Sequence, residues 1–301
     1  MNGAPGRVLV SGSSGLIGSA LCSFLTANGY QITRLVRGES SGENQISWDP
    51  DGALAPESVS GFDAIIHLAG ESIVGRWTDE KKTTIRHSRV AGTKNLAKAL
   101  VEAPQRPRVF ISASAIGYYG NRGQETLRED SSAGHGFLAD VCREWEFATN
   151  AAADAGIRTA QTRFGIVLSP AGGALAKMLL PFRFGMGGNL GNGRQWWSWI
   201  DLQDVVGAIE HVIKTNSLHG AVNVVSPNPV TNAEFTRTLA SELSRPAVFP
   251  MPSFIARLAL GQMADELLLA SQRVEPAKLV TSGYIFKQPN LRQALQAILK
   301  R

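Results

Sequence analysis

The stretch Val8-Leu-Val-Ser-Gly12-Ser-Ser-Gly15-Leu-Ile-Gly18 decides the fold, because it places three glycines between an apolar run and the start of a helical pattern. A turn this tight needs a residue that tolerates positive φ, and a pyrophosphate can approach the backbone only where no Cβ intervenes. The helix would then offer free N–H groups to the phosphates. A glycine-rich turn without a ligand is the alternative, but the strand before and the helix after favour a dinucleotide site. Its predicted contacts are Gly12, Ser13, Ser14, Gly15, Leu16, Ile17 and Gly18.

Short apolar runs alternate with longer helical patterns between Arg7 and Arg163. Such alternation is typical of βαβ units that build a parallel sheet. Strands are predicted at Arg7–Ser11, Gln31–Val36, Ala64–Leu68, Val109–Ala113 and Thr159–Arg163, and helices at Leu16–Ala27, Asp79–Val101 and Phe137–Ala155. We therefore expect an α/β protein with a Rossmann-type doubly wound parallel sheet and a smaller C-terminal region.

The chain of 301 residues is longer than a usual single domain. We predict a dinucleotide-binding domain over residues 1–165, with its core completed by about 195–230, including a strand at Ala221–Val225. Residues 166–248 would supply substrate-side segments, and residues 249–301 a small helical C-terminal domain. The glycines and tryptophans of Asn189–Trp199 could either wall a substrate pocket or pack over the core.

Composition excludes several classes of function. Hydrophobic residues make up 44% and charged residues 18%, and the net charge of +5 comes from scattered Lys and Arg without a basic run, which argues against nucleic-acid binding. No segment approaches the roughly 20 apolar residues of a membrane span. Cys22 and Cys142 have no metal-ligand spacing, so we expect no metal site, reduced thiols and a cytoplasmic protein.

The glycine stretch and two further motifs together indicate a resemblance to a known family. The spacing Gly-x-x-Gly-x-x-Gly is followed by Asp63-Ala-Ile-Ile-His-Leu-Ala-Gly70 and, late in the chain, by Trp199-Ile-Asp-Leu-Gln-Asp-Val205. Together they resemble the extended short-chain dehydrogenase/reductases. The resemblance implies that a loop after the strand at Ala64–Leu68 lines the cofactor cleft, with contacts from Leu68, Ala69, Gly70 and Glu71.

The end of the second predicted strand indicates which nicotinamide dinucleotide binds. NAD-specific sites usually carry Asp or Glu about 20 residues past the glycines, whereas this strand ends in Arg34-Leu-Val-Arg37. A carboxylate would repel a 2′-phosphate, but a guanidinium can hold it through paired hydrogen bonds. We predict NADP(H) as the cofactor, bound through Arg37; the alternative is that Arg37 is only a solvated charge.

The catalytic centre follows the family pattern only in part. Members commonly have a catalytic Ser after the fifth strand and a Tyr-x-x-x-Lys on the next helix, in which the Lys lowers the pKa of the Tyr and holds the nicotinamide ribose. Ser114 falls at the place of that Ser. On the next helix Leu138 and Cys142 fall at the places of the Tyr and Lys, and Arg89 replaces a common Asn.

These departures, together with the runs Gly70-Glu71-Ser-Ile, Arg76-Trp77-Thr78 and Gly261–Val274, closely resemble one atypical subfamily over essentially the whole chain. Its members are called sugar-epimerase-like or NADP-binding oxidoreductases, and their small C-terminal domain has no assigned role. A proton donor would have to come from elsewhere in the cleft. Tyr118 or Tyr119 is the first candidate, with Glu71 and Arg89 as partners that tune its pKa.

We therefore predict Ser114 and Tyr119 as catalytic residues, Tyr119 otherwise packing near the cofactor. Cys142 as a nucleophile lacks a neighbouring base. The leading hypothesis is an NADP(H)-dependent oxidoreductase acting on a small carbonyl or alcohol. A non-catalytic NADP(H) sensor or scaffold is the second, and a nucleotide-sugar epimerase or dehydratase with tightly held NAD is the third. The sequence leaves the substrate and the oligomeric state open.

Overall fold

A parallel sheet of seven strands runs through the centre of the protein, and the structure, a computed structural model, describes residues 6–40 and 42–300. The strands are β1 (Arg7–Ser11), β2 (Gln31–Val36), β3 (Gln45–Ser47), β4 (Ala64–His67), β5 (Val109–Ala115), β6 (Arg158–Phe164) and β7 (Gly220–Val224). Their order is β7-β6-β5-β4-β1-β2-β3, and every neighbouring pair is parallel. The predicted Rossmann-type sheet is therefore confirmed, and its order reverses between β1 and β4, where ligands bind in such sheets.

Helices cover both faces of the sheet. They are α1 (Leu16–Ala27), α2 (Asp79–Glu102), α3 (Phe137–Phe147), α4 (Asn150–Asp154), α5 (Gly173–Arg183), α6 (Leu202–Lys214), α7 (Asn232–Leu243), α8 (Ser253–Leu260), α9 (Ala277–Thr281) and α10 (Leu291–Leu299). Because successive strand residues point to opposite faces, Val8 and Val10 pack with α1 and α6, whereas Leu9 packs with α2 and α4. Each such side chain contributes about 1.5–3 kcal/mol when fully buried.

The sequence prediction misses strand β3 and helices α5 and α6, and it joins α3 and α4 into one helix. Strand β3 has only three residues, too few to show an alternating pattern. The helix predicted over Phe137–Ala155 is divided into α3 and α4. At the junction the Thr149 hydroxyl donates to the carbonyl of Glu146 at 2.6 Å and accepts from Gln161 of β6 at 2.7 Å. A side chain that competes for backbone groups in this way interrupts a helix.

The C-terminal half adds a second layer of structure on the strand ends. Short strands pair as Trp199–Asp201 with Ile166–Leu168, Val230–Thr231 with Trp196–Trp197, and Arg273–Val274 with Thr126–Leu127. Trp197 and Trp199 are buried in a separate apolar core with Phe235. For these two tryptophans the structure favours packing over the alternative of a pocket wall. None of the helices in residues 6–40 and 42–300 combines the length and apolarity of a membrane-spanning segment.

Candidate functional site

The turn after β1 contains two glycines that the packing of the protein itself requires. Gly12 has a φ of +68°, and a Cβ on it would lie 2.6 Å from the carbonyl carbon of Leu68. A Cβ on Gly18 would lie 2.2 Å from the carbonyl oxygen of Gly12. Both distances are too short for real atoms, so only glycine fits. The turn therefore rests directly on the segment after β4, and α1 packs closely on the turn.

At Gly15, in contrast, no close backbone contact of the protein requires a glycine. A glycine at this position therefore points to a ligand. The atom nearest to a Cβ on Gly15 would be the Gly12 carbonyl oxygen at 3.4 Å, and the residue is exposed. Gly15 is also the N-cap of α1, which has no side-chain cap. The first N–H groups of this helix, those of Leu16, Ile17 and Gly18, are therefore available to an anion, as the sequence predicts. Ser13 and Ser14 complete the turn, and their hydroxyls have no hydrogen-bond partner among the described residues.

The loop after β4 forms the second wall of the cleft. Leu68 and Ala69 lie against Gly12, so the structure brings together two motifs that are more than 50 residues apart in sequence. Glu71 forms an ion pair with Lys81, with 2.6 Å between Nζ and Oε1. The hydrogen bond from Lys81 holds the pKa of the Glu71 carboxyl below its ordinary value. Glu71 is therefore ionised at neutral pH and is no proton donor.

Arg37 follows β2 directly and is exposed. Its guanidinium makes no hydrogen bond or ion pair with any residue in the described part of the chain. Its charge reaches the Glu71 carboxyl, whose pKa it helps to lower after the larger effect of Lys81. The structure thus places a free cation at the β2 end of the same cleft, where a 2′-phosphate would lie.

A buried pair fastens the ends of β1 and β4 below the turn. The Ser11 hydroxyl lies 2.6 Å from His67 Nδ1, and both residues are buried. Burial lowers the pKa of His67 to about 4, so the imidazole is neutral at physiological pH. Trp48 packs edge-on against this ring. The pair keeps the two strand ends, and with them both cofactor-binding segments, in register.

Ser114 lies near the end of β5, as the sequence predicts, but its hydroxyl is engaged. It donates to Glu146 Oε1 of α3 at 2.7 Å, and Glu146 in turn binds Arg163 of β6 through two hydrogen bonds of 2.8 Å. Burial alone would lower the pKa of Arg163, but the hydrogen bonds and charge of Glu146 raise it above its ordinary value. This ion pair is enclosed, with side-chain exposures of 4% for Arg163 and 14% for Glu146.

Tyr119 does not face the cleft. It is fully buried, and its hydroxyl accepts from Arg163 at 2.9 Å while lying 2.7 Å from Asn223 Oδ1 and 2.9 Å from the carbonyl of Arg128. Burial raises the pKa of Tyr119 to about 12 despite the opposing charge of Arg163. The placement does not support the prediction that Tyr119 donates a proton to substrate. It gives this phenol a structural role instead.

Tyr118, the other predicted candidate, is only partly buried. The Arg163 guanidinium lies 3.5 Å from the centre of its ring. The ring borders a groove of about 770 Å³ that follows β6 from Arg163 back to Arg158, the first residue of the strand. Since cofactors bind at the carboxyl ends of the strands, this direction leads away from the predicted site.

Helix α3 turns the two residues predicted at the places of the Tyr and Lys, Leu138 and Cys142, towards the turn after β5. A Cβ on Gly117 would lie 3.3 Å from Leu138 Cβ and 3.9 Å from Cys142 Sγ, so both side chains face the turn that follows β5. Burial raises the pKa of the Cys142 thiol to about 12, which removes it as a nucleophile at neutral pH. The N-terminus of this helix is capped by Glu266, whose carboxylate accepts from the N–H groups of Phe137 and Leu138.

An apolar cluster lies beside Leu138 and joins the nucleotide-binding half to the C-terminal region. Trp77, Ile85 and Met263 are buried in it, and Ile73 packs against them. The N–H of Gly75 also donates to the sulfur of Met263 at 3.2 Å. The cluster forms an apolar wall beside Leu138.

Sequence reasoning missed Glu146, Arg163 and Asn223 as members of the buried network. Arg163 gave the available signal, because a charge on a strand that is predicted to lie inside the sheet requires a buried partner. Glu146 lies within the predicted helix Phe137–Ala155, but a spacing of 17 residues from Arg163 does not show that the two side chains meet. The capping carboxylate of Glu266 had no signal at all, since it comes from the far end of the chain.

The geometry agrees with what comparisons with known proteins find. The model of the NAD dependent epimerase/dehydratase family matches residues 8–225. The chain belongs to this family. A second match, to a domain of unknown function called DUF1731, covers residues 251–298. The resemblance to an atypical, epimerase-like member with a small C-terminal domain is thereby confirmed.

Relatives within the epimerase/dehydratase family match nearly the whole chain. An epimerase family protein of Mycobacterium bovis is 41% identical over 290 residues, which cover 96% of each chain. Human epimerase family protein SDR39U1 is 37% identical over 297 residues, or 97% of this chain and 99% of the human one. A crystal structure of the human protein (isoform 2) with NADPH has a TM-score of 0.91 and 35% identity, and covers 98% of this chain and 99% of the human chain.

A further solved structure extends the family comparison. The nucleoside-diphosphate sugar epimerase of Corynebacterium glutamicum is 39% identical with a TM-score of 0.82, and the match covers 98% of this chain but 58% of the other. The prediction of a nicotinamide dinucleotide agrees with the family assignment. The NADPH in the human crystal agrees with the choice of cofactor.

Proposed function

We propose that the protein is an NADP(H)-dependent oxidoreductase that moves a hydride to or from a small carbonyl or alcohol substrate. The assignment of the cofactor rests on the free space beside Gly15. This space leaves room for a pyrophosphate at the N-terminus of α1, which has no side-chain cap. The NADPH found with human SDR39U1 supports the same assignment.

Arg37 would select the phosphorylated cofactor. Its guanidinium is exposed and unpaired within the described residues, so binding a 2′-phosphate breaks no existing contact. The Glu71–Lys81 pair lies close enough for the charges of Arg37 and Glu71 to interact. Lys81 therefore neutralises the Glu71 carboxylate in the cleft, and Arg37 stays available to the 2′-phosphate.

The reacting half of the site would lie between β5 and α3. Bound NADPH supplies a hydride, and its oxidised form accepts one. Ser114 would orient the substrate oxygen, its hydroxyl turning from Glu146 to a carbonyl or accepting from an alcohol. Leu138, Trp77 and Met263 would exclude water from the hydride. The proton would come from solvent at the mouth of the site, since Tyr119 is enclosed and burial raises the pKa of Cys142.

A non-catalytic NADP(H) sensor is the second candidate, and one observation favours it. Leu138 and Cys142 occupy the places of the Tyr and Lys, and both are buried against the turn after β5. A protein that keeps the phosphate contacts but lacks the acid could report the NADPH level by changing its affinity for a partner.

A nucleotide-sugar epimerase is the third candidate, and the name of the Corynebacterium glutamicum relative supports it. Epimerisation by transient oxidation requires tightly held NAD and an acid/base pair. The free cation of Arg37 and the enclosed Tyr119 speak against both requirements. Tightly bound NAD in freshly purified protein would favour this candidate over the oxidoreductase.

The test follows the near-ultraviolet absorbance of NADPH under anaerobic conditions. Protein loaded with one equivalent of NADPH is mixed with aldehydes, ketones, quinones and nucleotide sugars in turn. NADPH carrying deuterium at the transferable position shows whether the hydride enters the product. Ser114→Ala is the active-site variant, and Ser23→Ala on the exposed side of α1 is the matched control.

Oxidation that depends on substrate, transfers deuterium and is suppressed in Ser114→Ala but not in the control supports the oxidoreductase. Tight NADPH binding without oxidation by any of these acceptors favours the sensor. Absence of NADPH binding would contradict both candidates, because both depend on the contacts at Gly15 and Arg37.

A further inference from the structure

The face of α3 that looks into the cleft carries no cation. Leu138 and Cys142 lie against Gly117, and both are buried. Arg143, the only basic residue of this helix, is exposed and pairs with Asp140. The nicotinamide ribose, whose hydroxyls need hydrogen-bond partners when they leave water, would therefore find no charged partner on α3.

A cation reaches the same space from the neighbouring helix. Arg89 projects from α2, and its Cζ would lie 3.3 Å from a Cβ placed on Gly70. Its Cζ also lies 5.1 Å from the ring centre of Trp145 on α3. The guanidinium thus fills the gap between the loop after β4, predicted to line the cofactor, and the helix that lost its basic residue.

Cys142 lies close to this guanidinium. The positive charge of Arg89 opposes the effects that raise the pKa of the Cys142 thiol, the largest of which is burial. Burial in turn lowers the pKa of Arg89, which nevertheless remains charged, since guanidinium groups stay protonated in proteins. A cation therefore stands beside the position at which the family pattern predicts a lysine.

Only part of the hydrogen-bonding capacity of Arg89 is used. Nη1 donates to the carbonyls of Glu71 at 2.9 Å and Ile85 at 3.2 Å. Among the described residues Nε and Nη2 have no hydrogen-bond partner. Neither atom is fully buried, so both keep contact with solvent. A guanidinium has five N–H groups. Three of them remain for a ligand, and two fix the orientation of the group.

We propose that Arg89 binds the nicotinamide ribose of the cofactor, its Nε and Nη2 donating to the ribose hydroxyl oxygens. A charge supplied from α2 thus replaces the missing lysine of α3. The inference rests on the NADP(H) binding of the proposed function but not on hydride transfer, since it concerns only how the cofactor is held.

Three nucleotides separate this role from a structural one. Adenosine 2′,5′-bisphosphate lacks the second ribose, 2′-phospho-ADP-ribose has the ribose without the nicotinamide ring, and NADPH has both. Calorimetric titration of each into wild type and Arg89→Gln should show that NADPH and 2′-phospho-ADP-ribose bind about ten- to a hundredfold more weakly to the variant. Binding of adenosine 2′,5′-bisphosphate should change less than twofold. Arg37→Ala is the matched control and should weaken all three nucleotides alike.

Equal weakening of all three nucleotides by Arg89→Gln would overturn the inference, because it would mean that Arg89 only supports the fold of the cleft. Unchanged binding of NADPH would overturn it too. Should the Gln variant not fold, Arg89→Lys keeps the charge but not the planar fork. The Lys variant should bind NADPH at least about threefold more weakly than wild type and adenosine 2′,5′-bisphosphate equally well. Wild-type affinities for all three nucleotides would refute the binding of the ribose by Arg89. If wild type binds none of the nucleotides, both the proposed function and this inference fail.

Discussion

Alanine at Gly15 and alanine at Gly12 should separate cofactor binding from folding, although both residues lie in one turn. Gly15 has a φ of −73°, which any residue adopts, and the nearest atom to a new Cβ would be 3.4 Å away. We expect Gly15→Ala to change the free energy of unfolding by no more than about 1 kcal/mol, the usual scale of changes at an N-cap. The new methyl group would instead stand where the pyrophosphate approaches α1.

Gly12→Ala should act on the fold itself. An L-residue in the left-handed region costs about 1–2 kcal/mol, and Gly12 has a φ of +68°. The Cβ would also lie 2.6 Å from the Leu68 carbonyl carbon and 2.7 Å from the Ala69 nitrogen. Both contacts are to backbone, which cannot turn aside, so a shift costing about 1–3 kcal/mol more follows. The sum is a loss of about 2–5 kcal/mol.

Urea unfolding measures the free energy of unfolding, and calorimetric titration measures the affinity for NADPH. Gly15→Ala should keep the unfolding midpoint and weaken NADPH binding at least about tenfold, the loss of one hydrogen bond to a charged group. Gly12→Ala should lower the midpoint clearly. If Gly15→Ala binds NADPH as wild type does, the pyrophosphate does not lie at this helix, and the reasoning from the open side of Gly15 is refuted.

The remaining predictions concern charge and proton transfer. Arg37→Asp should weaken NADPH binding about ten- to a hundredfold and NADH binding far less, measured by titration of both; equal losses would remove Arg37 from the 2′-phosphate. Tyr119→Phe should lower the free energy of unfolding by about 1–3 kcal/mol, because buried partners lose a hydrogen bond. The same variant should oxidise NADPH with the best acceptor at nearly the wild-type rate. A large fall in this rate without a change in NADPH affinity would restore Tyr119 as proton donor. His67 has a pKa of about 4 in the fold against about 6.5 when unfolded, so the unfolded chain binds more protons between these values and stability falls as pH is lowered through this range, by at most about 1.4 kcal/mol per pH unit. His67→Gln should lose this part of the pH dependence in urea unfolding measured from pH 7 to pH 4, and identical slopes in both proteins would contradict it.

The cofactor half of the site could be predicted from the sequence because its determinants are local. The turn from Gly12 to Gly18 lies between one strand and one helix, and the contact that requires Gly18, to the carbonyl oxygen of Gly12, spans only six residues. Strands β1 and β2 and helix α1 have the predicted bounds, since each is a full apolar run or amphipathic stretch between clear turn residues. Arg37 is exposed because it directly follows the end of β2.

The reacting half could not be predicted, because it is decided by contacts between distant segments. Tyr119 is next to the β5 turn in sequence, but partners on β6 and β7, Arg163 and Asn223, draw its hydroxyl into the core. The orientation of a side chain in a short turn depends on such partners rather than on local propensity. Glu146 likewise gains its role only because the sheet order places β6 beside β5.

The chemistry of the reacting half bears on which acceptors react. With Tyr119 enclosed and Leu138 in the place of the acid, a carbonyl that takes up hydride would become a negatively charged oxygen that Ser114 can hydrogen-bond but that no acidic side chain beside it protonates. A simple ketone would then form an alkoxide, whereas a quinone forms a hydroquinone anion, which is far more stable because the hydroquinone is the stronger acid. We therefore expect quinones to oxidise bound NADPH at least about tenfold faster than aliphatic ketones of similar size, which corresponds to about 1.4 kcal/mol in the barrier. Stopped-flow absorbance at two pH values measures this, and the ketone rate should rise as the pH falls while the quinone rate stays nearly constant. Equal rates for both classes, independent of pH, would mean that a residue of the cleft donates the proton after all, and would return attention to Ser114 and the carboxylate of Glu146 behind it.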